Sequence, residues 1–231
     1  MRRTAAASLL LAAGLLIVAG CDPRPYFYFL QPFEPQIDPP FKGSFEKKRV
    51  VVLTHAVSGT QNDFVSIDRD LAREFSRLLR EKTKKIDIVP QDKVWDWVEG
   101  HPNWTDPADA ARAFEADYVI FLEIESFQIQ DPNSPGLLEG TARTHMQAVE
   151  LDYPKNSKGK PIYDQPKEAK IVYDDYRDTL FPVRGPVQEG SGVSRGAFKA
   201  KFLQILATEV SWHFVPHSPE DDVQDARINN R

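Results

Sequence analysis

The residues best placed to do chemistry follow the first apolar run, at Thr54-His55-Ala56-Val57-Ser58-Gly59. The end of a strand is where nucleophiles and phosphate loops sit, so a small hydrolase would use His55 and Ser58. Neither a G-x-S-x-G elbow nor Walker-type glycine spacing surrounds them, and Gly190-Ser191-Gly192 is equally incomplete. The other reading of His55 and Ser58 is a surface loop that caps the next helix, and both stay open. The five histidines, His55, His101, His145, His213 and His217, lack H-E-x-x-H spacing. His213 and His217 are four apart, but Pro216 interrupts their helix and no cysteine ligand is at hand, so no zinc site is assigned. Glu123 and Glu125 fall on one strand face, about 7 Å apart. Such a pair suits acid–base work, although two charges at the solvent end of a strand are more common. No catalytic, cofactor-binding or metal residue is therefore assigned.

Tryptophan is the more informative cluster. Trp95, Trp97 and Trp104 fall within ten residues. On a helix Trp95 and Trp97 project about 200° apart, so one belongs to the core and another to the surface, where tryptophan often anchors a partner. The alternative is that all three fill one corner of the core.

A further reactive group lies near the start. Arg2 and Arg3 precede an apolar run from Ala5 to Val18, which ends in Val18-Ala19-Gly20-Cys21. As a helix the run reaches only about 21 Å, short of the roughly 30 Å hydrocarbon core. The order of charge, apolar stretch and small residues describes a secretory signal rather than a spanning anchor. Its ending is similar to the bacterial lipobox, in which the cysteine is acylated and becomes the mature N-terminus. Cys21 is the only cysteine, so no intramolecular disulfide competes for its thiol. Two or three acyl chains, at about 0.8 kcal/mol per buried methylene, hold a protein at a membrane permanently. In enterobacterial lipoproteins an aspartate in the position of Asp22 resembles an inner-membrane retention signal.

The domain layout follows: residues 1–20 as a lipoprotein signal, 21–46 as a lipidated tether, 47–215 as one α/β domain, and 216–231 as a polar tail. Pro23, Pro25, Pro32, Pro35, Pro39 and Pro40 make the tether extended. Its aromatics, Tyr26 to Phe29, Phe33 and Phe41, dock on the domain or, around Tyr26–Leu30, lie in the membrane interface. The 231 residues are 41% hydrophobic and 27% charged, as in an ordinary globular chain. Loss of Arg2 and Arg3 with the leader takes the formal charge from −5 to −7, which argues against a general nucleic-acid binder.

The elements that would position these groups are organised around Tyr118-Val119-Ile120-Phe121-Leu122, an apolar run that suits a strand covered on both faces. From Glu123 the pattern alternates, as where a strand leaves its cover. Arg49–Thr54 reads as a buried first strand and Asp63–Lys85 as an amphipathic helix bearing Phe64, Ile67, Leu71, Phe75 and Leu78. Ile86–Val89 completes a right-handed βαβ unit. Asp92 caps a short helix, and Thr105 or Asp106 caps another with Pro107 in its first turn. The turn at Asp131–Gly136 returns Leu137–Leu151 antiparallel, a further strand holds Lys170–Tyr173, and a helix from about Val193 to Phe214 closes the domain.

This order resembles a group of envelope lipoprotein domains: the lipoprotein activators of penicillin-binding proteins, the curli-secretion lipoprotein, and the N-terminal domain of the Tol-system propeller protein. The echoes are Arg49–Leu53, Leu71–Leu79, Ala116–Ile120 and the turn at Lys158-Gly159-Lys160. The Trp-rich 95–104 segment and the long 174–194 connection depart from the pattern. The resemblance implies a non-enzymatic adaptor or assembly factor, held to the cell membrane by its lipid, facing the periplasm and partnered by an unidentified envelope protein. An oligomeric structural subunit is the alternative that the curli-type likeness allows.

Overall fold

The computed structural model describes residues 35–57, 59–60, 64–130, 134, 136–154, 156–160, 162, 169–190 and 192–219. The leader, Cys21, the tether to residue 34, Ser58 and the tail from residue 220 lie outside the described residues. The elements are β1 (Arg49–Ala56), α1 (Ile67–Lys82), β2 (Asp87–Ile88), α2 (Gln91–Gly100), α3 (Pro107–Ala113) and β3 (Tyr118–Gln128). They continue with β4 (Leu137–Leu138), β5 (Gly140–Leu151), β6 (Ala169–Phe181), β7 (Val187–Gln188) and α4 (Arg195–Ser211). Five strands form one sheet in the order β2-β1-β3-β5-β6, parallel from β2 to β3 and antiparallel from β3 to β6. The fold is thus α/β, with an N-terminal βαβ unit, a mixed sheet that becomes antiparallel, and a terminal helix. β3 is its central strand.

The unbroken apolar runs have a direct cause. Val50 and Val52 of β1 and Ile120, Leu122 and Ile124 of β3 face the layer made by α1 and α4. Val51 and Leu53, with Val119 and Phe121, face the layer made by α2 and α3. Both faces are covered, so alternation disappears. Beyond Phe121 the α2–α3 cover stops, and Glu123, Glu125, Arg143, His145 and Tyr176 face outward.

Helix α1 buries Ile67, Leu71, Phe75, Leu78 and Leu79, with Asp68 and Asp70 in its first turn and Arg80 and Lys82 in its last, as its dipole favours. It begins four residues later than the apolar spacing suggested. Pro90, not Asp92, occupies the cap position of α2, its φ of −55° held by its own ring. Asp106, not Thr105, caps α3, its Oδ1 accepting from the Ala108 amide at 2.8 Å. The return strand is broken at Glu139: Leu137–Leu138 pairs with β7 rather than with β3.

Two boundaries move outward. The unit that carries every element runs from Ile37. Phe41 and Phe45 are buried, stacked on each other at 4.7 Å and set around Tyr118 and Phe214. The Ile37 amide donates to the His217 carbonyl at 2.8 Å, and His217 is itself buried. The body therefore extends ten residues before Lys47 and at least two beyond Val215. Aromatic burial outweighs the local proline preference here. Among the described residues, no helix is long and apolar enough to cross a membrane.

Two close approaches need glycine, Gly43 against the Phe41 ring and Gly140 against Phe202. At the start of β5, a Cβ on Gly140 would meet Phe202 Cγ at 2.5 Å, and Phe202 is fully buried on α4. Gly140→Ala should therefore cost about 1–3 kcal/mol through overpacking. Chemical denaturation should show a lower midpoint at unchanged slope. An unmoved midpoint would mean that α4 yields freely at this point.

Candidate contact site

Helix α2 is fixed to the sheet at its start. The side chain of Gln91 is buried, its Nε2 donating to the Val52 carbonyl at 3.3 Å and to Ser76 Oγ at 3.0 Å. Val94, one turn on, enters the core beneath β1. With Gln91 and Val94 inward, Trp95 and Trp97 leave on opposite flanks, as 100° per residue requires. Neither is core, and neither is fully exposed: Trp95, Trp97 and Trp104 are all half-buried. Trp97 and Trp104 each pack one side against the core cluster beneath α2 and α3.

On the first flank, the Arg69 guanidinium lies 4.9 Å from the Trp95 ring centre and donates to Glu99 at 2.6 Å. On the second, Trp97 stacks on His101 at 4.8 Å and 20°. The His101 Nδ1 donates to the Trp97 carbonyl at 2.8 Å, which fixes that ring at the end of the helix. Pro102 then turns the chain, and Trp104 returns beside Phe121 of β3, edge to face at 5.6 Å. Ala108, Ala110 and Ala111 are buried, and their small side chains let α3 lie close to the sheet. Between the end of α2 and the start of α3 lies an open cleft of about 540 Å³, lined by Trp97, His101, Asn103, Trp104 and Asp109 among others.

Of the remaining sequence candidates, Ser58 lies outside the described residues, and His55 and Glu123 are register partners on β1 and β3. His55 is exposed at the end of β1 and meets Trp104 edge to face at 6.1 Å. Nearby, Asp68 is buried, and that burial raises its carboxyl above the usual range, although its Oδ1 accepts from the Arg69 amide at 2.8 Å. Its main-chain carbonyl accepts from Thr54 Oγ1 at 2.9 Å, which ties α1 to β1. Glu123 and Glu125 each face a basic residue of β5 rather than a shared substrate position. Glu125, at a β-bulge, lies 3.0 Å from Arg143, and Glu123 lies 3.8 Å from His145.

Sequence spacing missed two polar constellations because their members come from different elements, β5 with β6 in the first and β6 with α4 and the residues after it in the second. The first is His145, stacked on Tyr176 at 4.4 Å and joined to Asp174 at 2.7 Å, where it and Gln147 lower the aspartate's pKa. The second is a cleft of about 560 Å³ that holds both His213 and His217 with Arg177, Glu209 and Trp212. There Tyr173 Oη lies 2.6 Å from His213 Nδ1, and burial lowers the His213 pKa. Glu209 accepts from Arg177 at 2.9 Å and from Thr179 at 2.8 Å. Cross-strand register brings the first group together, and docking of α4 on β6 the second. Among the described residues, no three metal-ligating side chains converge.

No family model matches the chain, and no curated protein matches it. Similar solved structures include the PelC dodecamer from Paraburkholderia phytofirmans, 12% identical over 78% of this chain and 97% of that one, with a TM-score of 0.40. Lipoprotein GNA1162 from Neisseria meningitidis is 11% identical, over 71% and 98% of the two chains, at 0.39. The hypothetical protein CT253 from Chlamydia trachomatis is 9% identical, over 72% and 98%, also at 0.39. Likeness at this level carries no argument about what this chain does.

Proposed function

We propose that this chain is a lipid-anchored cell-envelope protein that works by contact, as a non-catalytic adaptor or assembly factor, with the α2–α3 cleft as its docking surface. One observation carries the reading. Trp97 and Trp104, two half-buried indoles, line an open cleft at the corner of a domain that is otherwise covered or polar there. Indoles in that setting contribute more to binding than to the core, since each still has surface to bury against a partner. The anchor is supported by the order of Arg2-Arg3, Ala5–Val18 and Val18–Cys21.

Single alanine variants test the surface. Trp97→Ala and Trp104→Ala should keep the fold and lose more than 2 kcal/mol of partner binding, about thirtyfold in affinity. Trp95→Ala removes the platform under Arg69, so it should lower the melting temperature slightly and leave binding intact. Melting curves and recovery of crosslinked partner from native membranes measure both effects. If all three variants unfold together, with the 3–5 kcal/mol loss of a core tryptophan, the cluster is structural. If His55→Ala abolishes function in a folded protein, a hydrolase is the better reading.

A further inference from the structure

We propose that the α2–α3 cleft takes a cationic side chain, an arginine or lysine on a basic segment of a partner protein. This rests on the contact reading above and names the chemistry of its partner. The walls are the indoles of Trp97 and Trp104, the rim carries the Asp109 carboxylate, and no lysine or arginine is among the residues lining it. The surroundings have the same sign. Residues 91–115 hold six acidic residues, Asp92, Asp96, Glu99, Asp106, Asp109 and Glu115, against Lys93 and Arg112, a formal charge of −4 that falls to −3 with Arg69 of α1 paired to Glu99. Asp96, beside Trp97, and Glu115 have no ion pair among the described residues.

An aromatic cleft in neutral surroundings would suit any apolar side chain. A ring face with a carboxylate beside it favours a cation, through the ring quadrupole and direct charge attraction. An acidic field beyond the cleft also steers a basic segment toward it. The same helix already holds a cation in this way: Arg69 lies over Trp95 and pairs with Glu99 at 2.6 Å. The cleft sets an indole of α2, one face of it covered by His101, near a carboxylate of α3. One group opposes entry. Arg112 lies 2.7 Å from Asp109 and 3.4 Å from Asp106, so it neutralises part of the rim. That makes the proposal testable in both directions.

The probe is an acetylated, amidated Gly-Arg-Gly-Gly-Arg-Gly peptide, compared with its citrulline counterpart, which keeps the shape and loses the charge. The full chain, labelled with 5-fluorotryptophan in detergent micelles, gives four fluorine resonances, one per tryptophan. The arginine peptide should shift the Trp97 and Trp104 resonances saturably and leave those of Trp95 and Trp212 in place. Citrulline should weaken binding by about three- to thirtyfold. Asp109→Asn should weaken it severalfold, and Arg112→Ala, which frees two carboxylates, should strengthen it severalfold. Equal binding of the citrulline peptide overturns the proposal, and that comparison uses the unaltered protein, so misfolding of a variant cannot obscure it. No strengthening in a folded Arg112→Ala variant overturns it as well. A photocrosslinker at Asn103 in native membranes separates the two levels. Capture of a partner through a segment that is not basic ends the cationic inference and keeps the contact reading, whereas absence of any adduct ends both.

Discussion

Ile120→Asp should leave no cooperatively folding protein. Ile120 is fully buried near the start of the central strand, with β1 on one side and β5 on the other, facing the α1–α4 layer. A carboxylate there loses its water and gains no partner, since the core cluster around it is apolar. The charged form costs several kcal/mol, about 4 or more, against a domain stability of about 5–15 kcal/mol. Protonation of the aspartate offers partial relief but still leaves an unpaired polar group. Ile120→Val is the control: one methylene fewer should cost about 0.5–1.5 kcal/mol and leave the transition sharp. Calorimetry on the pair measures the difference. A soluble aspartate variant with the parent melting curve would place this strand at an edge and dismiss the sheet order.

Cys21→Ser should abolish acylation and leave the precursor uncut. The thiol at Cys21 is the only sulfur nucleophile of a cysteine in the chain. The hydroxyl that replaces it is a far weaker nucleophile at neutral pH, because thiolate is accessible near pH 8.5 and serine alkoxide is not. A signal peptidase that acts only on the lipidated cysteine then has no substrate. The variant should run at the mass of the full chain and take up no labelled fatty acid. If its labelling and processing equal the parent's, the lipobox reading is wrong. The protein would then be held at the envelope by contact alone, or not at all.

The two predictions rest on different kinds of information. The central strand was legible because its signal is local: five apolar residues in a row at Tyr118–Leu122 need cover on both faces, and only a central strand of a two-layered sheet provides it. The same holds for the α1 stripe of Ile67, Leu71, Phe75 and Leu78, and for the terminal helix with Phe198, Phe202, Ile205, Leu206 and Val210 inward. Periods of 2 and 3.6 are written into neighbouring residues, so the order and type of most elements were legible, but β6 runs on to Phe181 through residues 174–181 that read as a connection.

What only the tertiary structure decided involves residues that share no period. Phe41 and Phe45 lie in a stretch whose prolines favour extended chain, yet they fill the corner beside Tyr118 and Phe214. The number of aromatics in a Pro-rich stretch pointed to docking on the domain for Phe41, but the site of docking is set by segments far along the chain. The spacing of Trp95 and Trp97 fixed their divergence but not their surroundings. Arg69 claims one flank from α1, and the turn at Pro102 builds a cleft on the other. His145 with Asp174, and His213 with Tyr173, meet only because cross-strand register and helix docking place them so. Side-chain meetings of this kind are set by how layers pack, a property of distant segments together, and that is where the candidate site of this protein lies.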